Sequence, residues 1–370
     1  MICYMCMREY EGTRCPYCGF SPDTYEPYPT ALLPTTILAN RYYIGAVLGK
    51  GGFGITYIGY DIAARRKVAV KEYFPSAIAF RDGHKEKAVS VLSAQGGLFQ
   101  SGVEKFYNEA VILARFTDIP AIVQVYDFFY ENNTAYIVME YIDGTSVEQI
   151  VVRQGGLDID MVLTIYFPII QALAGVHNTG LLHRDISPSN VMLDEYFRPR
   201  LIDFGSSRAF SHEMSSDLTV ILKKGFAPIE QYSRRERHGP AEDVYAICAS
   251  MYYTLTGKVP PAAPDRSVFD TLQPIHAYTP DIPPELENII LRGMAVRAAD
   301  RYPDMQSLAD AIDAAVLHPQ RAKEVHAEEN NGGRKESARG DNGLPMLALL
   351  VSLGIAAVVL LSILIWLCIR

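Results

Sequence analysis

A change of periodicity near Gln149 constrains the fold more than any other feature of the sequence. Before it, "YYIGAVLGKGGFGITYIGYD" and "RKVAVKEYF" alternate apolar residues as strands of an antiparallel sheet do. After it, "LDIDMVLTIYFPIIQALAGVHNTG" and "AEDVYAICASMYYTLTG" carry apolar residues at helical spacing and are long enough to be buried helices. The sequence therefore predicts an α+β fold with a small sheet-rich lobe and a larger helical lobe.

A glycine cluster lies within the first strand region. Gly49, Gly51 and Gly54 form G-x-G-x-x-G, a pattern that also occurs in hairpin turns and dinucleotide sites. A dinucleotide site requires a helix directly after the glycines, whereas "ITYIGYD" alternates as a strand. This context favours a flap over phosphate groups, because glycines let backbone amides approach a nucleotide.

Four cysteines near the start of the chain have the spacing of a metal site. Cys3, Cys6, Cys15 and Cys18 form two C-x2-C pairs, which together can supply the tetrahedron of thiolates that zinc prefers. Iron and a pair of disulfides are the alternatives, and disulfides are disfavoured in a reducing cytoplasm. We expect residues 1–22 to form a zinc ribbon that lies outside the two lobes, holds structural Zn²⁺ and binds a protein partner.

The C-terminal part of the sequence predicts a membrane anchor. Leu344–Ile369 contains no charged residue and, at about 1.5 Å per residue, would extend roughly 39 Å as a transmembrane helix. A buried helix of a soluble domain is the alternative. Residues 318–343 have the polar composition of a juxtamembrane linker. Only Arg370 follows, and no secretory signal precedes, so we expect a tail-anchored, single-pass membrane protein with its N-terminal part in the cytoplasm.

Two polar motifs in the second half of the chain occur together with a lysine in the first half. The pattern H-R-D-x-x-x-x-N is formed by His183, Arg184, Asp185 and Asn190. D-F-G occupies residues 203–205, and "VAVK" ends at Lys71. With these motifs, residues 42 to about 316 resemble a bacterial Hanks-type serine/threonine protein kinase. We assign residues 41–317 to the kinase domain and residues 23–40 to a linker.

The resemblance implies a role for each polar residue of these motifs. Asp185 would accept or orient the proton of the substrate hydroxyl, while Asn190 and Asp203 would hold Mg²⁺. Lys71 would bind the α- and β-phosphates of ATP and pair with a helix glutamate, for which we choose Glu109.

Glu109 is chosen because "EKFYNEAVILARF" has helical spacing of its apolar residues; Glu104 is the alternative. The distance in sequence from Lys71 is about twice that of a typical kinase. The stretch "PSAIAFRDGHKEKAVSVLSAQGGLFQ" therefore indicates an insertion, which we expect to form a hairpin.

The resemblance also indicates where adenine binds. Met139 occupies the gatekeeper position, and Glu140 and Ile142 belong to the hinge, whose backbone groups would hydrogen-bond the base. Ala69 is small and leaves room for the ring. ATP and Mg²⁺ are therefore the expected nucleotide and metal.

The activation segment keeps part of the family pattern. Glu230 is present in "GFAPIEQY" although Ile229 replaces the usual proline, and we expect Glu230 to pair with Arg301. Asp243 matches the aspartate that supports the catalytic loop. The resemblance further implies that a segment phosphate would neutralise Arg184; the candidate sites are Ser211, Ser215, Ser216 and Thr219.

The sequence departs from the family at Ser187, where a serine/threonine kinase carries lysine. Seven residues before Glu230, where the family has threonine, stands Lys223. We hypothesise that the two residue types have been exchanged and that Lys223 supplies the catalytic charge. Lys224 is the near alternative, and an exposed charge pair without a catalytic role is another interpretation.

We predict a membrane-tethered, ATP-dependent kinase of serine and threonine residues in proteins. A nucleotide-binding pseudokinase that recruits partners through the ribbon is the main alternative, and a kinase of small molecules is a second. The net charge of −8 gives no reason to expect a nucleic-acid partner.

Overall fold

The computed structural model describes residues 1–81, 87–116, 119–204, 222–232 and 238–317. The strands of its small lobe are β1 (Ile37–Leu38), β2 (Tyr42–Lys50), β3 (Gly54–Asp61), β4 (Arg66–Tyr73), β5 (Ala79–Phe80), β6 (Ser90–Val91), β7 (Val125–Glu131) and β8 (Thr134–Glu140). Six of them form one antiparallel sheet in the order β1-β2-β3-β4-β8-β7. Helix α1 (Gly96–Leu113) packs against β7 and β8.

The inserted segment after β4 contains the expected hairpin. Strands β5 and β6 pair antiparallel, with Ala79 opposite Val91. Arg81 at the end of β5 forms a buried ion pair with Glu72 of β4. The hydroxyls of Tyr57 and Tyr136 also donate to Glu72, at 2.7 and 2.8 Å, so the buried carboxylate is fully compensated. The insertion is thereby anchored to the strand that carries Lys71.

The helical lobe follows β8. Its elements are β9 (Gly144–Ser146), α2 (Val147–Gln154), α3 (Ile159–His177), β10 (Val191–Asp194), β11 (Pro199–Leu201), α4 (Ala241–Thr256), α5 (Ala263–Val268), α6 (Pro284–Gly293) and α7 (Met305–Ile312). Asp158 caps α3 by accepting from the amide of Met161 at 2.8 Å. Gly257 ends α4 in the left-handed region, with φ of 66°.

Helix α3 is the one helix, among the residues that the structure describes, long and apolar enough to span a membrane. Its inner face, including Ile165, Tyr166 and Ile169, is completely buried in the core of the helical lobe. This burial explains its composition without a membrane. The predicted transmembrane segment, Leu344–Ile369, and the predicted juxtamembrane linker lie outside the described residues.

Residues 1–22 pack against the small lobe, which differs from the expectation that they lie outside it. The side chain of Met7 is buried with Ala46 of β2 and Ile58 of β3. The segment that we assigned to a linker, residues 23–40, also contributes to the lobe: Ala31 and Leu32 are buried in its core. The amide of Leu32 donates to the hydroxyl of Tyr57 at 3.1 Å.

Candidate active site

One buried carboxylate accepts hydrogen bonds from the backbone of the catalytic loop. Asp243, at the start of α4, accepts hydrogen bonds from the amides of His183 and Arg184, both at 2.7 Å. His177 lies 2.9 Å from the same carboxylate. Burial alone would raise the pKa of Asp243, but the bond from His177 and the other contacts lower it, so the group is ionised. Arg184 has a φ of 62°, a strained conformation that these bonds stabilise.

Asp185 is oriented by Asn190, which lies in the short 3₁₀ turn Pro188–Asn190. The amide nitrogen of Asn190 donates to the Asp185 carbonyl at 2.7 Å and to its carboxylate at 3.0 Å. The loop thus brings together two residues that the sequence analysis placed in the site, with the carboxylate held in one position.

Asp203 follows β11 and lies opposite β4. Its carboxylate accepts from Lys71 at 2.9 Å, and its φ of 58° is again in the left-handed region. Burial by itself would lower the pKa of Lys71, but the charge of Asp203, with smaller contributions from Glu109 and Asp185, raises it. Burial would raise the pKa of Asp203, and Lys71 lowers it. Both groups are therefore charged.

The position of Glu109 fits the expectation only in part. It lies on α1 and is buried, and its charge contributes to the raised pKa of Lys71. The ion pair that Lys71 makes among the described residues is with Asp203. Glu109 is thus near the lysine, on the helix where the sequence analysis placed it.

A cleft of about 550 Å³ lies between the lobes and contains most of the residues expected to bind nucleotide. Its lining includes Gly49, Ala69, Glu140, Ile142, Asn190 and Asp203. Ala69 and Met139 form an apolar cluster with Val123 at the inner end of the cleft, and Ile142 and Ile202 pack against it. This apolar surface suits the ring of a nucleotide base. The sequence analysis missed Ile202, which lines the cleft, and Val123, which packs against Ala69 and Met139, because only the folded chain shows these contacts.

The three glycines of the cluster have different surroundings. Gly49 lines the cleft, whereas Gly51 and Gly54 close the turn between β2 and β3 through a 2.9 Å bond from the Gly51 amide to the Gly54 carbonyl. A Cβ on Gly54 would lie 2.7 Å from the Glu72 carbonyl oxygen, which excludes larger residues at that position.

Lys223 lies at the catalytic loop. Its ammonium donates to the hydroxyls of Ser187 and Ser189, at 2.8 and 3.0 Å, and is 3.5 Å from the carboxylate of Asp185. Sequence reasoning missed Ser189, the second hydroxyl that holds the lysine. Lys224, the alternative, is exposed to solvent.

The expected pair of Glu230 and Arg301 is confirmed. The two buried side chains meet at 3.1 Å, and Arg301 also donates to the carbonyls of Ala295 and Val296. The pair joins the end of the activation segment to the residues before α7. Neither side chain lines the cleft, so the pair is assigned a structural role in holding the segment.

The four N-terminal cysteines form a separate cluster. The sulfurs of Cys3 and Cys18 are 3.5 Å apart, those of Cys6 and Cys15 are 3.6 Å apart, and all four lie within 4.8 Å of one another. Zn–S bonds of about 2.3 Å at tetrahedral angles place sulfurs about 3.8 Å apart. The donor set and its spacing therefore fit one zinc ion.

A six-stranded sheet followed by a helical lobe, with Lys71 of the sheet paired to Asp203 and with Asp185 held on the catalytic loop, defines the protein kinase class. The family model for the protein kinase domain matches residues 42–289. The solved structure entitled "PpkA-294 apo form" aligns with a TM-score of 0.68 at 34% identity, covering 76% of this chain and 99% of that one.

Similar proteins define the class more narrowly. The chain is 26% identical over 289 residues to serine/threonine-protein kinase PknL of Mycobacterium bovis, covering 76% of this chain and 67% of PknL. It is 30% identical over 324 residues to serine/threonine-protein kinase PknB of Mycobacterium leprae, covering 83% of this chain and 48% of PknB. The chain belongs to the protein kinase family and is a serine/threonine protein kinase of the bacterial Hanks type.

Proposed function

We propose that this chain is a catalytically active, membrane-tethered kinase that transfers the γ-phosphoryl group of ATP to serine and threonine hydroxyls of other proteins. The observation that carries the proposal is the position of Lys223. The loop lacks the usual lysine at Ser187, yet an ammonium group lies 3.5 Å from the carboxylate of Asp185.

In this proposal, Asp185 accepts the proton of the attacking hydroxyl. Its carboxylate is held by the amide of Asn190, lies 3.5 Å from the ammonium of Lys223 and keeps about a quarter of its side chain exposed. Phosphoryl transfer depends mainly on positioning and charge, so a carboxylate with one fixed orientation is what the step requires of the loop.

Lys223 supplies positive charge where negative charge develops during transfer. Two serine hydroxyls fix the direction of its side chain, and no reorganisation is needed at the moment of reaction. A preorganised cation in this place is worth about 3 kcal/mol of barrier, or roughly a hundredfold in rate.

The residues facing the cleft fit Mg²⁺. Asp203 offers an ionised carboxylate, and Asn190, whose nitrogen donates to Asp185, retains its amide oxygen for a metal. Such an ion neutralises charge on the phosphates of ATP. In the nucleotide complex, Glu109 would replace Asp203 as the ion-pair partner of Lys71, and Lys71 would bind phosphate.

The N-terminal cluster would hold structural zinc, because four thiolates leave no position open for substrate. The exposed side of the ribbon, which includes Tyr17, would then be available to a protein partner. The uncharged run Leu344–Ile369 supports a membrane anchor by length and composition.

The test uses the full-length chain incubated with labelled ATP and Mg²⁺, beside the variant Asp203→Ala, with the phosphate located by mass spectrometry. We expect label on serine or threonine with the wild-type chain alone. Nucleotide binding by the wild-type chain without any transfer would contradict the proposal and favour a nucleotide-binding scaffold.

A further inference from the structure

Strand β2 contains a bulge immediately before the part that lines the cleft. Ile44 pairs with Gly59 and Val47 with Tyr57, so Gly45 and Ala46 together face the single residue Ile58. A bulge removes a backbone group from the ladder and increases the local twist of the strand. The bulge at Gly45 and Ala46 therefore contributes to the direction in which β2 continues towards the glycine turn, together with a second register shift between Val47 and Gly49.

The ribbon occupies this bulge. The amide of Ala46, which the bulge frees from β3, donates to the carbonyl of Tyr4 at 2.8 Å. Tyr4 lies between Cys3 and Cys6, within the first cysteine pair. A backbone group that would otherwise be unpaired in the sheet is thus satisfied by the metal-binding segment.

The side chain of Met7 completes the contact. Met7 is buried, with a φ of 57°, and packs on Ala46 and Ile58. Gly45 leaves the space for it: a Cβ at that position would overlap both Met7 Cε and the carbonyl oxygen of Tyr4. Gly45 therefore forms a notch in β2 that accepts the ribbon.

Two parts of the lining of the nucleotide cleft lie next to this contact. Leu48 and Gly49, which line the cleft, follow on β2 after the paired residue Val47, and the ladder with β3 shifts register again between Val47 and Gly49. On the other side, Tyr141 of the hinge packs against the cluster formed by Met7, Ala46 and Ile58, and Tyr141 also lines the cleft. The ribbon thus contacts β2 directly, and the cluster that it forms with β2 and β3 packs against Tyr141 of the hinge.

We propose that the metal-held ribbon is a positioning element of the nucleotide site, which sets the affinity of the kinase for ATP by fixing the bulge of β2 and the side chain of Tyr141. Asp185 and Lys223 lie in the helical lobe, away from the contact, so turnover at saturating ATP does not depend on it. This inference rests on the proposed function in so far as the ribbon is held by zinc and the cleft binds ATP.

The experiment compares Gly45→Val and Met7→Asp with the full-length wild-type chain. Gly45→Val fills the notch from the side of the kinase lobe, and Met7→Asp places a charge in the contact from the side of the ribbon, so that the sequence of the sheet itself is unchanged. The controls are Gly97→Val, at an exposed glycine of α1 where an added Cβ meets no other atom, and Glu11→Gln, on the exposed surface of the ribbon.

We expect both test variants to raise the KM for ATP, and the Kd of a non-hydrolysable ATP analogue, by about five- to tenfold, since they release the groups that pre-organise the site. We expect kcat to stay within about twofold, and both controls to match the wild-type chain in KM. A purely structural role would lower the fraction of active enzyme, and hence kcat, without changing KM.

Unchanged Kd and KM in both test variants would overturn the proposal. The Kd is measured without turnover. A chain that binds nucleotide but transfers no phosphate would therefore refute the proposed activity, while the Kd values of the variants would still test the role of the ribbon. Metal analysis of the same preparations tests the zinc assignment independently of the contact. A wild-type chain without bound metal would refute the zinc assignment, whereas the effect of Gly45→Val on the Kd tests the contact between the ribbon and β2.

Discussion

The ammonium group of Lys223 donates to the hydroxyl of Ser187 at 2.8 Å, which joins the activation segment to the catalytic loop. In the family to which the chain belongs, the lysine stands on the loop and the hydroxyl on the segment. Here the two residue types are exchanged while the contact between the two segments is kept. The positive charge of Lys223 therefore reaches the catalytic loop from the activation segment instead of from the loop itself.

The first prediction concerns this lysine. Lys223→Met should lower kcat by roughly a hundredfold with little change in the Kd for nucleotide, because the cation acts on the transferring group rather than on adenine. Steady-state kinetics with a protein substrate measures the loss. Lys224→Met, at the exposed neighbouring residue, is the matched control and should keep wild-type activity. Wild-type turnover in Lys223→Met would refute the role of the lysine.

Restoring the family arrangement gives a sharper version of the same test. Lys223→Thr combined with Ser187→Lys should recover part of the activity lost in Lys223→Thr alone. Recovery identifies the charge, rather than one particular backbone position, as the requirement. If the double variant is no more active than the single one, the exchange is not the explanation of the missing loop lysine.

The second prediction concerns pH and Asp243. The pKa of this carboxyl is lower in the folded chain than in the unfolded one, so its contribution to stability is present above about pH 4 and is lost as the pH falls through the lower native pKa. Urea denaturation should therefore show Asp243→Asn to be destabilised near pH 7, with the difference from the wild-type chain shrinking under acid conditions. Asp265→Asn, at an exposed aspartate, is the control. A difference independent of pH would show that shape rather than charge is responsible.

The residues that the structure brings together at the candidate site could be predicted because the family motifs are contiguous or have a fixed spacing. Asp185 and Asn190 are five residues apart, and one short turn brings them together. The two-lobed α+β fold followed from periodicity. By contrast, Ser189, Val123 and Ile202 carry no pattern of their own, and only the packing of loop, sheet and segment brings them to the site.

The position of the ribbon could not be predicted for a different reason. Metal ligands are recognised by spacing, but docking depends on an unpaired amide at Ala46 and an empty notch at Gly45, both produced by the bulge. Residues 23–40 also differ from the prediction, since they pack against the small lobe instead of forming a free linker. Their prolines and polar residues are typical of linkers, while the few apolar ones, such as Leu32 and Leu38, are buried in the lobe.

The third prediction tests the metal. Cys15→Ser replaces one buried thiolate by a hydroxyl, a much weaker zinc ligand, so the purified variant should hold less than about a tenth of the wild-type zinc under a competing chelator. Atomic absorption measures the content. Cys248→Ser, at the buried cysteine of α4 far from the cluster in sequence, controls for loss of a thiol and should keep the metal. Full metal content in Cys15→Ser would refute the zinc assignment.

The fourth prediction concerns regulation. The Nε atom of Arg184 is buried and has no hydrogen-bond partner in the part of the chain that the structure describes. The candidate phosphorylation sites Ser211, Ser215, Ser216 and Thr219 lie outside that part. Replacing all four by alanine should lower kcat by about tenfold or more, because a phosphate would neutralise Arg184 and order the segment.

Wild-type enzyme treated with a phosphatase serves as the control for this variant. Its activity should fall to that of the quadruple variant and return after incubation with ATP. If the quadruple variant keeps the activity of the untreated enzyme, phosphorylation at these four residues does not regulate the kinase.

The last prediction concerns the buried pair of Arg301 and Glu230, which supports the activation segment. Arg301→Leu would leave a buried carboxylate without its partner, and the loss of a buried ion-pair partner costs about 3–5 kcal/mol. Urea denaturation should show a destabilisation of this size. Adding Glu230→Gln should recover part of it, since the uncompensated charge is then removed.

Arg297→Leu, whose exposed side chain lies 3.9 Å from Asp300, is the control and should change stability by less than about 1 kcal/mol. An equally small change in Arg301→Leu would mean that the segment is held by its backbone contacts, such as the amide of Phe226 donating to the Lys223 carbonyl at 3.0 Å, and that the ion pair contributes little.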